Sequence, residues 1–218
     1  MNAIKITLIL LFALSFPTLI FAHDVVRDLE SISKSDAIIT YISLGFEHIL
    51  PLGFDHILFI ISLVLLSPNL KQLFLQSAAF TVGHCVTLGL AMYDIFKISP
   101  SVVEPLIAIT IVFIAAENLF SNKLKPTRIV LIFAFGLLHG MGFASALADI
   151  GLPQNAYLLS LLMFNLGVEL GQIFVILCSY FLLTQLQKRT DYTWSKITMP
   201  VTIFIISMGT YWVFERLI

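Results

Sequence analysis

Apolar residues run along this chain in long blocks, with short polar interruptions between them. The blocks cover roughly 37–66, 70–92, 101–120, 127–149, 155–185 and 195–216. Each is near the ~20 residues that a helix needs to cross the hydrocarbon of a bilayer. None shows the strict alternation of a β-barrel strand, so the blocks predict helices. The first block is long for one span, and Pro51 and Gly53 divide it. A short helix followed by the span proper is expected there. Asp94, Pro100, Gly151 and Pro153 punctuate the connections. The fold class predicted is therefore all-α, a polytopic helical membrane protein of about six spans.

Ahead of the blocks, residues 1–22 read as a signal peptide. Lys5 forms the positive start, Ile6 to Phe16 the apolar stretch, and Ala22 the last residue before cleavage. Residues 23–36 carry Asp24, Arg27, Asp28, Glu30, Lys34 and Asp36 and form a short polar lead-in on the periplasmic side. The transmembrane domain is then 37–218. Lys and Arg between the spans set the orientation. Lys71, Lys123, Lys125, Arg128, Lys188, Arg189 and Lys196 fall on one side and only Lys97 on the other. This places the mature N-terminus in the periplasm of a bacterial inner membrane.

Composition supports the same class. The chain has 218 residues, of which 59% are apolar and 11% charged. An average soluble domain has roughly 25% charged residues. The net charge of -1 leaves no broad basic face, so nucleic acid is not expected as a partner. The expected surroundings are lipid, with a further copy of the chain or an accessory subunit left open. Cys85 and Cys178 lie in apolar runs and form no metal-binding or disulfide motif.

The unusual feature is the polar chemistry inside the apolar blocks. Glu47, His48, Asp55 and His56 lie in the first, His84 in the second, Glu104 and Glu117 in the third, His139 in the fourth and Glu169 in the fifth. Ionisable groups are costly in a bilayer and there mark a site or a pathway. Four of the five histidines occupy such positions. His48 lies across the Pro51–Gly53 break and could fold back toward Asp55 and His56. Ser77, Thr81 and His84 share one helix face, and Asn165, Glu169 and Gln172 share another. Imidazole with carboxylate suits nickel, cobalt, zinc or copper(II). The candidate metal ligands are His48, Asp55, His56, His84, His139 and Glu169. Glu117 is expected to pair with Lys123 or Lys125, and Glu104 to be solvated. Gly136 and Gly140, and Gly167 and Gly171, give GxxxG spacings suited to close helix contact.

The runs GFEHILPLGFDHILFIISLVLLS (45–67), AAFTVGHCVTLGLA (78–91), VEPLIAITIVFIAAENLF (103–120), FAFGLLHGMGFASALADIGLP (133–153) and FNLGVELGQ (164–172) resemble the second branch of the HupE/UreJ family. The resemblance implies a multi-span inner-membrane protein with a cleaved signal peptide, related to nickel permeases. Two motifs depart from the nickel-permease branch. That branch has H-x5-D-H, whereas six residues separate His48 from Asp55 here. It also has HGxxHGxE, whereas His139–Gly140 is followed by Phe143 and Ala146 at the second His and the Glu. Carry-over therefore rests on Asp55, His56 and His139.

The function expected is a permease for a divalent transition metal, nickel first, and not an enzyme. No nucleotide-binding loop of the form GxxxxGK[ST] is present. Two alternatives stand beside it. One is an intramembrane metal hydrolase, against which HExxH is absent. The other is a non-catalytic membrane subunit whose histidines are structural.

Overall fold

Ser33 accepts a hydrogen bond from the Asp36 backbone N–H at 3.2 Å and so starts the first helix, while Asn69 caps the third helix in the same way through Gln72. The computed structural model describes residues 32–120, 127–190 and 192–218. The expected signal peptide lies outside the described residues, as does the lead-in up to Ser31. Among the described residues every regular element is helical. They are α1 (Lys34–Ile49), α2 (Phe54–Leu66), α3 (Leu70–Met92), α4 (Pro100–Phe120), α5 (Arg128–Ile150), a 3-10 turn (Gln154–Ala156), α6 (Tyr157–Lys188) and α7 (Trp194–Leu217). Pro100 opens α4, where its missing N–H costs nothing, and Gly151 ends α5 with a φ of 87°.

Five helices are each long and apolar enough to cross a membrane, and α1 with α2 make a sixth candidate span bent by 70°. The bend falls at residues 50–53, where Pro51 has no N–H to continue the ladder. The Gly53 N–H still reaches the Ile49 carbonyl at 3.2 Å. In α2, 10 of 13 residues are buried, as a helix apolar on all sides requires. It is the central rod of the bundle, and the other helices surround it. Asn118 of α4 donates to the Ser62 carbonyl at 2.9 Å, and Trp194 of α7 donates to the Leu65 carbonyl at 2.8 Å.

The glycines fix how the outer helices pair. A Cβ on Gly136 would strike the Phe80 carbonyl, and one on Gly140 the His84 carbonyl, so α5 lies directly against α3 and parallel to it. Gly167 faces Ile42 and Gly171 faces Ile49, so α6 lies parallel to α1. Helices α4 and α7 are antiparallel. Gly209 meets Val112, and Arg216 donates to the Glu104 carbonyl at 3.1 Å. These directions are those of six crossings that alternate strictly. The first and fifth spans run one way, the second and fourth the other, and the third opposes the sixth.

At the end where α4 finishes and α5 begins, Arg128 pairs with Glu117 at 3.1 Å. Arg128 supplies the partner expected from Lys123 or Lys125, both of which lie outside the described residues. It starts the next helix and so stands directly across from Glu117. At the opposite end, the Tyr41 hydroxyl donates to the Gly151 carbonyl at 2.7 Å. Neither cysteine is bonded to another.

Candidate metal centre

His48 occupies the last turn of α1, and Asp55 and His56 occupy the first turn of α2. The break folds the two turns onto each other. A Cβ on Gly53 would collide with the His48 carbonyl, so glycine is what permits that approach. The His48 and His56 rings lie 4.7 Å apart between centroids. His84 of α3 comes within 6.0 Å of the first ring and 6.1 Å of the second. One nitrogen from each of these three residues lies within 4.8 Å of the other two. His139 of α5 packs against His56 at 4.9 Å.

Hydrogen bonds behind three of the rings fix which nitrogen carries the proton. His56 Nδ1 lies 2.9 Å from Asp55 Oδ1, which also accepts from the His56 backbone N–H at 2.8 Å. A carboxylate only accepts, so Nδ1 is protonated and Nε2 presents its lone pair. His84 Nδ1 lies 3.1 Å from Asn165 Oδ1. The Asn165 amide nitrogen donates to the Leu161 carbonyl at 2.8 Å, which turns its oxygen toward the ring. His84 Nε2 is therefore also bare. His139 Nε2 lies 3.1 Å from Thr110 Oγ1, whose own proton goes to the Ile107 carbonyl at 2.7 Å. His139 Nδ1 is then the free acceptor.

Four ring nitrogens are left over. His48 Nε2, His56 Nε2, His84 Nε2 and His139 Nδ1 are buried and have no hydrogen-bond partner among the described residues. An unsatisfied buried polar atom costs about 1–3 kcal/mol, so four such nitrogens, three of them on residues that converge within 4.8 Å, call for something that binds lone pairs. Neutral imidazoles oriented by partners on their far side are the usual arrangement around a transition metal.

A cavity of ≈ 250 Å³ adjoins the cluster. His48, Asp55, His56, His139 and Phe143 line its depth, and Glu104 and Arg216 line the end where α4 begins and α7 finishes. Arg216 lies 4.0 Å from Asp55 Oδ2 and 5.4 Å above the Trp212 ring. Phe143 packs its ring 3.8 Å from that of His48. The position at which the permease branch carries its second His is thus part of this site, and a phenyl ring fills it.

Glu169 stands apart from the three convergent histidines. Its Oε1 lies 3.1 Å from Ser77 Oγ, and its Oε2 is bonded to Thr81. Ser77 also donates to Gln172 Oε1 at 2.9 Å, and Gln172 Nε2 donates to Thr81 at 3.1 Å. The two polar stripes expected on α3 and α6 do face each other, and they divide into two groups. His84 and Asn165 belong to the histidine cluster, while Ser77, Thr81, Glu169 and Gln172 form a separate knot farther from the cavity. Arg216 and Thr110 were not legible as site residues. Arg216 closes the last apolar block like an ordinary boundary charge, and Thr110 acts only through its contact with His139.

A family model described as HupE / UreJ protein matches residues 24–216. No curated protein and no solved structure matches the chain to significance.

Proposed function

Because this chain belongs to the HupE/UreJ family, we propose that it is a permease that carries a divalent transition metal across the membrane through the histidine cluster at the α1–α2 break. The convergence of His48, His56 and His84 within 4.8 Å, each with a buried and unpartnered Nε2, carries the reading. His139 adds an imidazole on the same cavity wall, and Asp55 orients His56 from behind. Imidazole donors suit nickel, cobalt, zinc and copper(II), and nickel stands first because of the resemblance to nickel permeases. Phe143 removes one imidazole from the set, which alters affinity and selectivity relative to that branch.

Lys71, Arg128, Lys188, Arg189 and Lys196 gather at the end of the bundle opposite the cavity. By the positive-inside bias that end faces the cytoplasm. The cavity and the start of α1 then face the periplasm of a bacterial inner membrane. The ion loads from that side, past Asp55 and Arg216, onto the histidines. A membrane potential of 100 mV supplies about 2.3 kcal/mol per charge moved inward. No bond in a substrate is made or broken, so the reading is of a transporter and not of an enzyme.

The test is elemental mass spectrometry on the purified protein, beside a His56→Ala, His139→Ala double variant, followed by flux into proteoliposomes. Bound nickel, cobalt, zinc or copper in the wild type, lost in the variant, supports the reading. If neither protein binds any of the four ions, the histidines are structural and the chain is a non-transporting subunit.

A further inference from the structure

Ser77 and Thr81 on α3 meet Glu169 and Gln172 on α6 in a closed ring. Its four contacts are Glu169 to Ser77 at 3.1 Å, Ser77 to Gln172 at 2.9 Å, Gln172 to Thr81 at 3.1 Å, and Thr81 to Glu169. Each contact needs one hydrogen. Ser77 and Thr81 bring one hydroxyl proton each, and Gln172 brings one amide N–H into the ring. An ionised Glu169 brings none, so one of the four contacts would face acceptor against acceptor. Turning the Gln172 amide over exchanges its ends and leaves the shortfall unchanged. A proton on Glu169 closes the ring. Glu169 then donates to Ser77, Ser77 to Gln172, Gln172 to Thr81, and Thr81 back to the second carboxyl oxygen.

Among the described residues no charged side chain pairs with this carboxyl. Its hydrogen-bond partners are Ser77 and Thr81. On α3 the nearest titratable group is His84, three residues beyond Thr81, and on α1 it is His48, beside the Ile49 that meets Gly171. Neither is bonded to Glu169. Inside a bilayer a lone carboxylate is costly, whereas a neutral acid with every contact satisfied is not. The ring also lies beside the histidines. Thr81 is one turn from His84 on α3, and Glu169 is one turn from Asn165, which holds His84.

We infer that the Ser77–Glu169–Thr81–Gln172 ring is a proton-binding site, with Glu169 a neutral acid in this arrangement, and that opening the ring releases this proton in exchange for the metal. The exchange half rests on the proposed transport, and the proton site does not. Infrared difference spectroscopy on the full-length protein at neutral pH tests the site. A protonated-carboxyl C=O band is expected in the wild type and absent in Glu169→Gln, whose amide can donate to Ser77 and accept from Thr81. Gln172→Leu opens the ring and frees the Ser77 proton for Glu169, so its band should weaken or move. This second variant serves even if the first fails to fold. A wild type without the band, or a band unchanged in both variants, overturns the site. In proteoliposomes holding a pH dye, a nickel pulse should drive proton movement opposite to the metal, and Glu169→Gln should lose it. A proton signal that persists in Glu169→Gln overturns the exchange. If the wild type binds no nickel, the exchange falls with the transport reading while the infrared band still decides the site.

Discussion

The Asn165 side-chain oxygen lies 3.1 Å from His84 Nδ1, and the amide nitrogen of the same residue is committed to the Leu161 carbonyl at 2.8 Å. Asn165 therefore cannot turn over to offer His84 a donor, and the bare nitrogen of His84 is held toward His48 and His56. Replacing Asn165 with Ala frees the ring to adopt either tautomer. Loss of such an outer partner typically weakens metal binding 10–100-fold. Titration of Asn165→Ala with nickel in detergent should show a fall of about that size. An unchanged affinity would mean that His84 is not a ligand.

Phe143→His should act in the opposite direction. The phenyl ring sits 3.8 Å from the His48 ring, so an imidazole there joins the cluster directly. The expected gain is about tenfold in nickel affinity, or ~1.4 kcal/mol. Competition titrations with zinc should reveal whether selectivity moves with it.

Gly140→Ala tests the fit of α5 against α3. The new methyl would press on the His84 carbonyl and on Thr87 Oγ1, which itself donates to the Leu137 carbonyl at 2.7 Å. Overpacking of this kind costs about 1–3 kcal/mol. Thermal unfolding in detergent should show the loss, and metal binding should weaken because His84 moves with its backbone.

Arg216→Gln removes the cation nearest the mouth of the cavity, 4.0 Å from Asp55. A divalent ion then meets less repulsion on its way in. Stopped-flow metal association should speed up several-fold at low salt and converge with the wild type at high salt, since screening shortens the reach of the charge to about 3 Å at 1 M. A rate indifferent to both substitution and salt would show that the metal takes another path.

Glu117→Ala leaves Arg128 buried without its counter-ion, for the residue is only 3% exposed. Breaking a buried pair from one side costs about 3–5 kcal/mol. The partly open Glu117 places this case toward the lower figure. Unfolding of the single and double variants in a mutant cycle should show that Arg128→Met largely restores what Glu117→Ala removes.

Much of this was readable from residue order alone. Apolar block lengths marked all the spans, and Pro51 with Gly53 marked the place where the first one breaks. Histidines at 48, 56, 84 and 139 were conspicuous because a bilayer penalises them. The grouping of these residues was not readable, because spacing along one helix cannot say which neighbouring helix it meets. His84 and Glu169 looked like two members of one site, yet Glu169 is bonded to Ser77 and Thr81 while His84 turns to the break. Thr110 carried no signal of its own, and Asn165 stood out only as a member of a polar stripe, without the ring it serves. Their role is to orient an imidazole that comes from another helix, and only the tertiary contact reveals it.

The break between α1 and α2 also decides which ligand is least firmly anchored. Helix α2 is enclosed on nearly every side, so His56 is as fixed as the middle of the protein. Helix α1 is seated by a single stripe of Ala37, Tyr41, Gly45 and Ile49, and most of the rest of its surface is open. A small swing of α1 about the 70° corner therefore carries His48 toward or away from the other two imidazoles and leaves them in place. The gap that an ion must span is set by the lie of one helix held from a single side, like the opening of a pair of callipers with one arm clamped.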